Sequence, residues 1–168
     1  MSKQDKVAIV DKNNSVLGYV PRKDLTDNHA WRIISVWIEN NEGQVLLQQR
    51  SHNKSHAGGK WTCAVEGTVE GDDEYEETAR REVAEEIGLE NFELQPAKLL
   101  YYKTSHGARI AQGYQINCNW PIEKFVIQKS EVAQLKWVDR QTVITEIKAG
   151  DSKYPKSAKI WLEMFDLV

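Results

Sequence analysis

Three glutamates near the middle of the chain have residue types and a spacing suited to metal chemistry. Glu82, Glu85 and Glu86 lie within the segment REVAEE and occupy positions i, i+3 and i+4. On a helix of about 3.6 residues per turn, these carboxylates project from one face within roughly one turn. Carboxylate oxygens without a supporting His or Cys are the ligands that hard cations prefer. The spacing therefore indicates a site for Mg²⁺ or Mn²⁺.

The acidic character of the chain is concentrated around these glutamates. Between Glu70 and Glu90 there are ten acidic residues and two arginines, a net charge of −8, whereas the whole chain carries −3. Such crowding is tolerated when the carboxylates are solvated, when some take up protons, or when a cation lies among them. A solvated helix face is the ordinary explanation of a charge run, so charge alone leaves the choice open.

The surrounding residues predict that the glutamates lie on a helix. Asp72 or Asp73 can cap its N-terminus, and Glu76 follows Asp73 at the spacing of a capping box. Gly88 can end the helix in a left-handed conformation. Apolar residues recur every four positions, at Tyr75, Ala79, Val83 and Ile87. The helix can therefore pack on a core through this stripe while its acids face a cleft.

The stretch from Gly67 to Leu89 resembles the signature of the Nudix hydrolases, in which a glycine, an acid and an REUxEExGU segment (U is aliphatic) recur at fixed spacings. Every fixed position matches except one, where Asp73 stands in place of glutamate. The resemblance implies an α/β fold: a Nudix-like α/β/α sandwich with a mixed sheet and a loop-helix-loop motif. It also implies a metal-dependent pyrophosphohydrolase that cleaves a diphosphate linked to an organic group X, as in a nucleoside di- or triphosphate.

The same resemblance assigns roles to the residues of the motif. It makes Glu82, Glu85 and Glu86 the side-chain ligands of Mg²⁺, with Mn²⁺ as the alternative ion. The backbone carbonyl at the position of Glu66 is a further ligand in some members. Glu82 can instead take a proton from the attacking water, and the sequence does not separate these two roles.

Gly67 and Asp73 are expected to brace the motif rather than to bind the metal. In the family, the acid at the position of Asp73 pairs with the motif arginine, here Arg81. We count Arg81 among the candidate catalytic residues, together with Glu82 and Glu85. The shorter side chain of Asp73 puts this brace in question, and a simple helix cap is the equal alternative.

Residues outside the motif complete the expected site. Glu131 lies six residues before Trp137, a spacing that resembles that of an additional catalytic acid in some Nudix enzymes. An ordinary solvated loop acid fits Glu131 equally well, and Glu123 is the fallback. Arg50 and Lys60 flank a loop rich in Gly, Ser and His, and they are candidates for binding the phosphates. A plain surface charge is the alternative for both.

The periodicity of apolar residues predicts two hairpins, four further strands and two C-terminal helices. The hairpins pair residues 7–11 with 16–20 and residues 32–39 with 44–50, and a turn or short helix covers 21–25. Further strands are predicted at 61–65, 97–102, 112–120 and 135–138, and helices at 140–148 and 157–167. We expect a single domain over residues 1–168, with its N-terminal hairpin at 7–20, its motif at 67–89 and its C-terminal helices within 140–167.

Composition limits the classes of partner. The 168 residues include 40% hydrophobic and 28% charged residues, as in an ordinary globular protein. With neither a membrane-length apolar run nor a signal-like start, we expect a cytoplasmic protein with no membrane partner. A pI near 5.8 without a basic cluster argues against nucleic acid. A small-molecule diphosphate is the expected partner, and a monomer or a homodimer the expected state. Cys63 and Cys118, each in a predicted strand, are expected to stay reduced.

Two rival functions remain at the level of sequence. The N-terminal half and the motif also resemble the Nudix subgroup similar to type I isopentenyl diphosphate isomerase. The catalytic Cys and metal-binding His of that isomerase correspond here to Glu66 and Thr68. Cys63 is three residues too early, and in a regular strand it would point to the face opposite Glu66. Hydrolysis is therefore favoured. The other rival is a non-catalytic nucleotide-binding module, which would be expected to lose the motif acids that this chain keeps.

Overall fold

The computed structural model describes residues 6–167. These residues form β-strands, α-helices and a few short 3-10 turns. The strands are β1 (Lys6–Val10), β2 (Val16–Pro21), β3 (Ala30–Glu39), β4 (Gln44–Arg50), β5 (Trp61–Cys63), β6 (Val65–Thr68), β7 (Gln95–Thr104), β8 (Gly107–Asn117) and β9 (Val132–Asp139). The helices are α1 (Tyr75–Ile87), α2 (Arg140–Ala149) and α3 (Lys159–Met164). No helix in this described range is long and apolar enough to cross a membrane.

The sheet is mixed and centres on β3. Strand β8 runs parallel to β3 along its whole length, from Ala30 opposite Ala108 to Glu39 opposite Asn117. Strand β7 continues the sheet antiparallel to β8, and β6 pairs antiparallel with β3. A second group is formed by β4 with β5 and β9, both antiparallel to it. The predicted mixed sheet is thus confirmed.

The second predicted hairpin forms only at its turn. Strands β3 and β4 are antiparallel, but the register between them, among the described residues, is the single pair of Glu39 and Val45. Beyond this pair, β3 continues with β6 and β8 while β4 continues with β5 and β9. The two strands therefore diverge, and the β5–β6 segment lies between them, paired with β4 through β5 and with β3 through β6.

Helices cover both faces of the sheet. Helix α1 packs through Ala79, Val83 and Ile87 on a cluster that includes Ile34 of β3. On the other face, α2 and α3 pack on a cluster that includes Trp37 of β3. Trp37 is three residues after Ile34, so the two side chains point to opposite faces of the sheet because side chains alternate along a strand. This arrangement is the predicted α/β/α sandwich.

The predicted strand at 61–65 is broken at Ala64. Cys63 packs in the cluster under α3, whereas Ala64 and Val65 both pack in the cluster under α1. Because two consecutive residues face the same way, the alternation shifts by one and Glu66 returns to the α3 face, where it contacts Trp161. The prediction that Cys63 and Glu66 point to opposite faces was therefore wrong.

Other boundaries differ from the predictions in small ways. Strand β8 ends at Asn117, so Cys118 lies just beyond the strand rather than in it. Cys63 and Cys118 are both buried and free, as expected of reduced packing residues. The last helix is shorter than predicted, because a 3-10 turn (Lys156–Ala158) precedes α3.

The motif helix has the predicted end but not the predicted cap. Helix α1 begins after Glu74, whose side chain makes no capping hydrogen bond. The cap predicted at Asp72 or Asp73 was wrong, because both carboxylates bond to side chains elsewhere in the fold. Gly88 ends α1 with a φ of 69°, the left-handed conformation that glycine adopts without steric cost.

Candidate active site

A cleft of about 650 Å³ opens between the C-terminal part of α1, strand β6 and the loop at 51–57. Both acidic and basic residues line it. The acidic ones are Glu66, Glu82, Glu85, Glu86 and Glu131. The basic ones are Arg22, Arg50, Lys54, His56 and Arg109. The three motif glutamates thus lie on one helix face and reach one cleft, as their spacing predicts.

Gly67 allows the motif helix to approach strand β6 closely. A Cβ atom at Gly67 would lie 2.9 Å from Cγ of Glu82, closer than carbon atoms normally approach. Only glycine therefore lets the Glu82 side chain pass over the strand into the cleft. This contact gives a physical basis to the bracing role expected of Gly67.

Glu86 is a buried carboxylate held by a buried amide. Its side chain is 6% exposed, and its Oε2 accepts a hydrogen bond of 2.7 Å from Nε2 of Gln48. Burial raises the pKa of Glu86 to about 8, against the opposing effect of the Gln48 bond and with further increases from Glu82 and Glu131. Burial, and then the charge of Glu85, also raise the pKa of Glu82. The acids of this wall therefore oppose each other's ionisation.

The donor set fits a hard divalent cation, although it is not preassembled. Within residues 6–167, no three His, Cys, Asp or Glu side chains converge closely enough to form a ready-made metal site. The wall of α1 nevertheless offers carboxylate oxygens alone. Burial is the main cause of the raised pKa values of Glu82 and Glu86, and a cation among them would favour their charged forms and relieve the repulsion that adds to it. Glu82, Glu85 and Glu86 remain predicted ligands.

Asp73 and Arg81 form the expected brace. Nη1 of Arg81 donates a hydrogen bond of 2.8 Å to Oδ2 of Asp73, and the two side chains are 31% and 32% exposed. The shorter aspartate is therefore long enough to make this pair. Arg81 is not among the residues that line the cleft, and its bond to Asp73 is a positioning contact; a catalytic role for Arg81 stays a prediction.

Of the two basic residues predicted to bind phosphate, only Arg50 reaches the cleft. Its Nε donates a hydrogen bond of 3.2 Å to the carbonyl of His56, which holds it beside the loop. Lys60 is outside the cleft, and its Nζ donates instead to the carbonyl of Ser152. The prediction for Lys60 was wrong because the chain turns into β5 at this point and directs the side chain toward the 151–153 loop.

The sequence analysis overlooked Lys54, which is paired with Glu131. Nζ of Lys54 lies 2.6 Å from Oε2 of Glu131, and both residues line the cleft. The backbone amide of Ser51 donates to the carbonyl of Glu131, so the loop and the start of β9 are held together. Glu123 is in a 3-10 turn and does not line the cleft, so the fallback position is excluded.

Arg109 and Tyr102 are further cleft residues that sequence analysis did not find. They face each other across β8 and β7. The guanidinium carbon of Arg109 lies 3.4 Å from the centroid of the Trp31 ring. Burial lowers the pKa of Arg109 to about 10, against the effects of Tyr102 and Glu66. No local motif marks these residues, because only the pairing of distant strands brings them together.

Glu66 contributes its side chain to the cleft, whereas the sequence analysis considered only its backbone carbonyl. Oε1 of Glu66 accepts hydrogen bonds of 3.2 Å from Oγ of Ser35 and 3.2 Å from Nε1 of Trp161. Burial raises the pKa of Glu66, and the bond from Trp161 and the charge of Arg50 oppose this effect. The slot of the isomerase cysteine is thus filled by an anchored carboxylate, while Cys63 is fully buried.

Comparisons with known proteins agree on one family. The sequence profile described as the NUDIX domain matches residues 29–158. Isopentenyl-diphosphate Delta-isomerase 2 of Aromatoleum aromaticum is 26% identical over 95% of this chain and 83% of its own length. The uncharacterized Nudix hydrolase YfcD of Salmonella typhi is 22% identical over 93% of this chain and 84% of its own length. These relatives carry the names of two different activities.

Solved structures show the same fold. The protein DR0079 of Deinococcus radiodurans superimposes with a TM-score of 0.79 over 95% of this chain and 99% of its own, at 21% identity. The MutT protein of Methanosarcina mazei gives a TM-score of 0.66 over 82% of this chain and 93% of its own, at 23% identity. The α/β/α architecture predicted from the motif is therefore confirmed.

Proposed function

We propose that this chain, which belongs to the Nudix family and is of the pyrophosphohydrolase type, uses a divalent metal to hydrolyse a diphosphate linked to an organic group X. One observation carries the proposal. The acids of α1 and several basic side chains line a single cleft of about 650 Å³, a size typical of small-molecule sites. Carboxylates that can hold a metal, together with cations that can bind phosphate oxygens, suit a metal-bound diphosphate.

In this proposal the motif acids bind the metal and position the attacking water. We assign Glu82, Glu85 and Glu86, with the backbone carbonyl of Glu66, as ligands of Mg²⁺ or Mn²⁺. When bound, such an ion neutralises phosphate oxygens and lowers the pKa of water so that hydroxide is available near neutral pH. Glu82 or Glu131 accepts the proton of the water that attacks phosphorus.

The basic residues of the cleft support the same reaction. Arg50 and Lys54 line the cleft together with the α1 acids, where they can bind phosphate oxygens through charged hydrogen bonds. The Lys54–Glu131 pair of 2.6 Å suggests an exchange of partners on substrate binding. Lys54 then turns to a phosphate, and Glu131 is released to accept a proton.

Isomerisation is the second candidate, since one relative is named as an isopentenyl-diphosphate isomerase. The observation against it is the carboxylate of Glu66 in place of the isomerase cysteine, with Thr68 in place of its histidine. Cys63 does not substitute for the missing thiol, because it is fully buried and burial raises its pKa well above the ordinary value.

A hydrolysis screen that separates and identifies all phosphorylated products by chromatography tests the proposal. The purified protein is incubated with Mg²⁺ and with nucleoside di- and triphosphates, dinucleotides, nucleotide sugars and isopentenyl diphosphate. At least one compound should be hydrolysed, and EDTA should abolish the reaction. Glu86→Gln should lower kcat by about a hundredfold or more, because one anionic metal ligand is lost.

The matched control is Glu77→Gln, which makes the same chemical change on the same helix. Glu77 is exposed and does not line the cleft, so its substitution should leave kcat within about twofold of the original. The proposal fails if no compound is turned over, or if Glu86→Gln is as active as Glu77→Gln. Isomerised product without phosphate release would favour the second candidate.

A further inference from the structure

The cleft extends from the motif acids into a region that the diphosphate chemistry leaves unused. We call this region the polar bay. It is formed by Trp31, Ile33, Glu66, Tyr102, Arg109 and Ser157. It lies on the α3 face of the sheet, whereas Gly67 faces Glu82 on the α1 face. A substrate with its phosphates at α1 would therefore place its group X here.

Strand pairing brings the polar bay together. Trp31 is opposite Arg109 in the β3–β8 pair, and Arg109 is opposite Tyr102 in the β8–β7 pair. Directly opposed residues of neighbouring strands lie on the same face of a sheet. On the side of β3 away from β8, Glu66 of β6 is opposite Ser35. Ser35 is two positions after Ile33, so these residues lie on the same face of the sheet. The bay is thus built on strands rather than on loops.

Glu66 presents one fixed oxygen to the bay. Its Oε1 is already occupied by hydrogen bonds from Ser35 and Trp161. Trp161 is only 2% exposed, so it anchors the carboxylate rigidly. Oε2 makes no hydrogen bond among the described residues, and the side chain lines the cleft. A hydrocarbon placed against this oxygen would strip its water without replacing the hydrogen bonds.

Two donors accompany this acceptor. The hydroxyl of Tyr102 has no hydrogen-bond partner within residues 6–167, although the residue lines the cleft. Nη1 of Arg109 donates to the carbonyls of His106 and Ala108, and its other guanidinium nitrogens have no protein partner in the same range. Stacking on Trp31 fixes the plane of the guanidinium.

We propose that the polar bay selects substrates whose group X carries N–H or O–H donors for Glu66 and acceptors for Arg109 and Tyr102. A nucleobase edge and a sugar both have this chemistry, whereas a prenyl chain has none of it. The inference rests on the proposed function, because the occupant of the bay is taken to be group X of the diphosphate substrate. Glu66 and Arg109 are then specificity-determining residues.

Binding measurements in EDTA separate this inference from turnover, because no metal is present to support hydrolysis. Calorimetry compares ADP, GDP, CDP and UDP, which carry a base, with phosphoribosyl diphosphate, which carries sugar hydroxyls and no base. Geranyl diphosphate and inorganic pyrophosphate are the apolar and the X-free references. At least one nucleoside diphosphate or phosphoribosyl diphosphate should bind about tenfold or more tightly than either reference. Comparing the nucleoside diphosphates with phosphoribosyl diphosphate then shows whether the bay recognises the base or the sugar.

Substitutions in the bay should reduce this margin. Glu66→Gln keeps an acceptor for Ser35 and Trp161 but puts an N–H in place of the free oxygen, and the ratio to pyrophosphate affinity should fall about tenfold. Tyr102→Phe, which removes one hydroxyl, should reduce the ratio severalfold. Tyr101→Phe is the matched control on the adjacent, exposed residue, which does not line the cleft, and it should not change the ratio.

The outcomes are separable. If geranyl diphosphate binds as tightly as the polar compounds, if no polar compound exceeds the references, or if Glu66→Gln keeps the full margin, the inference is overturned. If the margin is present and depends on Glu66, but no compound is hydrolysed with Mg²⁺, the inference on binding stands and the proposed hydrolysis fails.

Discussion

Glu86 joins two properties that normally oppose each other in a carboxylate. It is nearly inaccessible, and it lies in the wall of a cleft that contains four other glutamates. The amide of Gln48 supplies its one hydrogen bond, and Gln48 is itself held by the carbonyl of Ala64. Without a cation, such a residue costs the protein stability whenever it is charged.

Removing this charge should stabilise the metal-free protein at high pH. The pKa of Glu86 is raised to about 8 in the folded state from an ordinary 4.5. Its contribution to stability is therefore complete below about pH 4.5 and is lost as the pH rises through about 8. In EDTA, Glu86→Gln should exceed the original protein in free energy of unfolding by up to about 5 kcal/mol at pH 9 and by little at pH 5.

Urea denaturation at pH 5, 7 and 9 measures this difference. Glu77→Gln is again the matched control, since Glu77 is exposed on the same helix, and its effect should not grow with pH. Equal stability of Glu86→Gln and the original protein at pH 9 would show that Glu86 is not forced to ionise in a buried position.

At the scale of elements, the motif loop and helix α1 are tied together by one ion pair. Asp73 in the loop bonds Arg81 in the second turn of the helix at 2.8 Å. Sequence analysis predicted the helix and its glycine end, because both follow from local periodicity and backbone freedom. From the sequence, a helix cap and a brace to Arg81 are equal alternatives for Asp73, because the partner of this side chain depends on how the loop folds.

Loss of the brace should affect activity more than global stability. Asp73→Ala should lower kcat about tenfold, because Glu82 directly follows Arg81 and Glu85 lies one helical turn after it. It should cost about 1 kcal/mol or less in unfolding, since the pair is partly exposed. The matched control is Glu76→Ala, which removes the exposed Glu76–Arg80 pair on the same helix. Steady-state kinetics and urea denaturation check both variants, and equal kcat in the two would contradict the bracing role.

At the scale of the whole molecule, the fold brings basic residues to the acids of the motif. Outside Glu70–Glu90 the chain carries 15 acids and 20 bases, and several of these bases line the same cleft as the acids of α1. Arg50 was predicted from its position beside a loop. Arg109 and Lys54 were not, since the first depends on the pairing of β8 with β3 and β7 and the second on a contact with Glu131, 77 positions away.

The basic residues of the cleft predict that salt weakens substrate capture. Raising the NaCl concentration from roughly 0.05 to 0.5 M should lower kcat/KM for a diphosphate about tenfold, with less change in kcat, because screening weakens the attraction between the substrate and these side chains. Lys54→Ala should make the salt dependence shallower. Lys60→Ala should leave it unchanged, since Lys60 is outside the cleft. A steeper dependence in Lys54→Ala would contradict this account.

The break at Ala64 has a consequence for how this chain tolerates change in length. One extra residue is accommodated at Ala64, between Cys63 on the α3 face and Val65 on the α1 face. Deletion of Ala64 would restore regular alternation, so Val65 and Gly67 would stay on the α1 face and Glu66 on the α3 face. The facing of this segment can therefore absorb the loss of a single codon at position 64, whereas the loss of a residue within the regular run from 65 to 68 would reverse the faces of the residues that follow it.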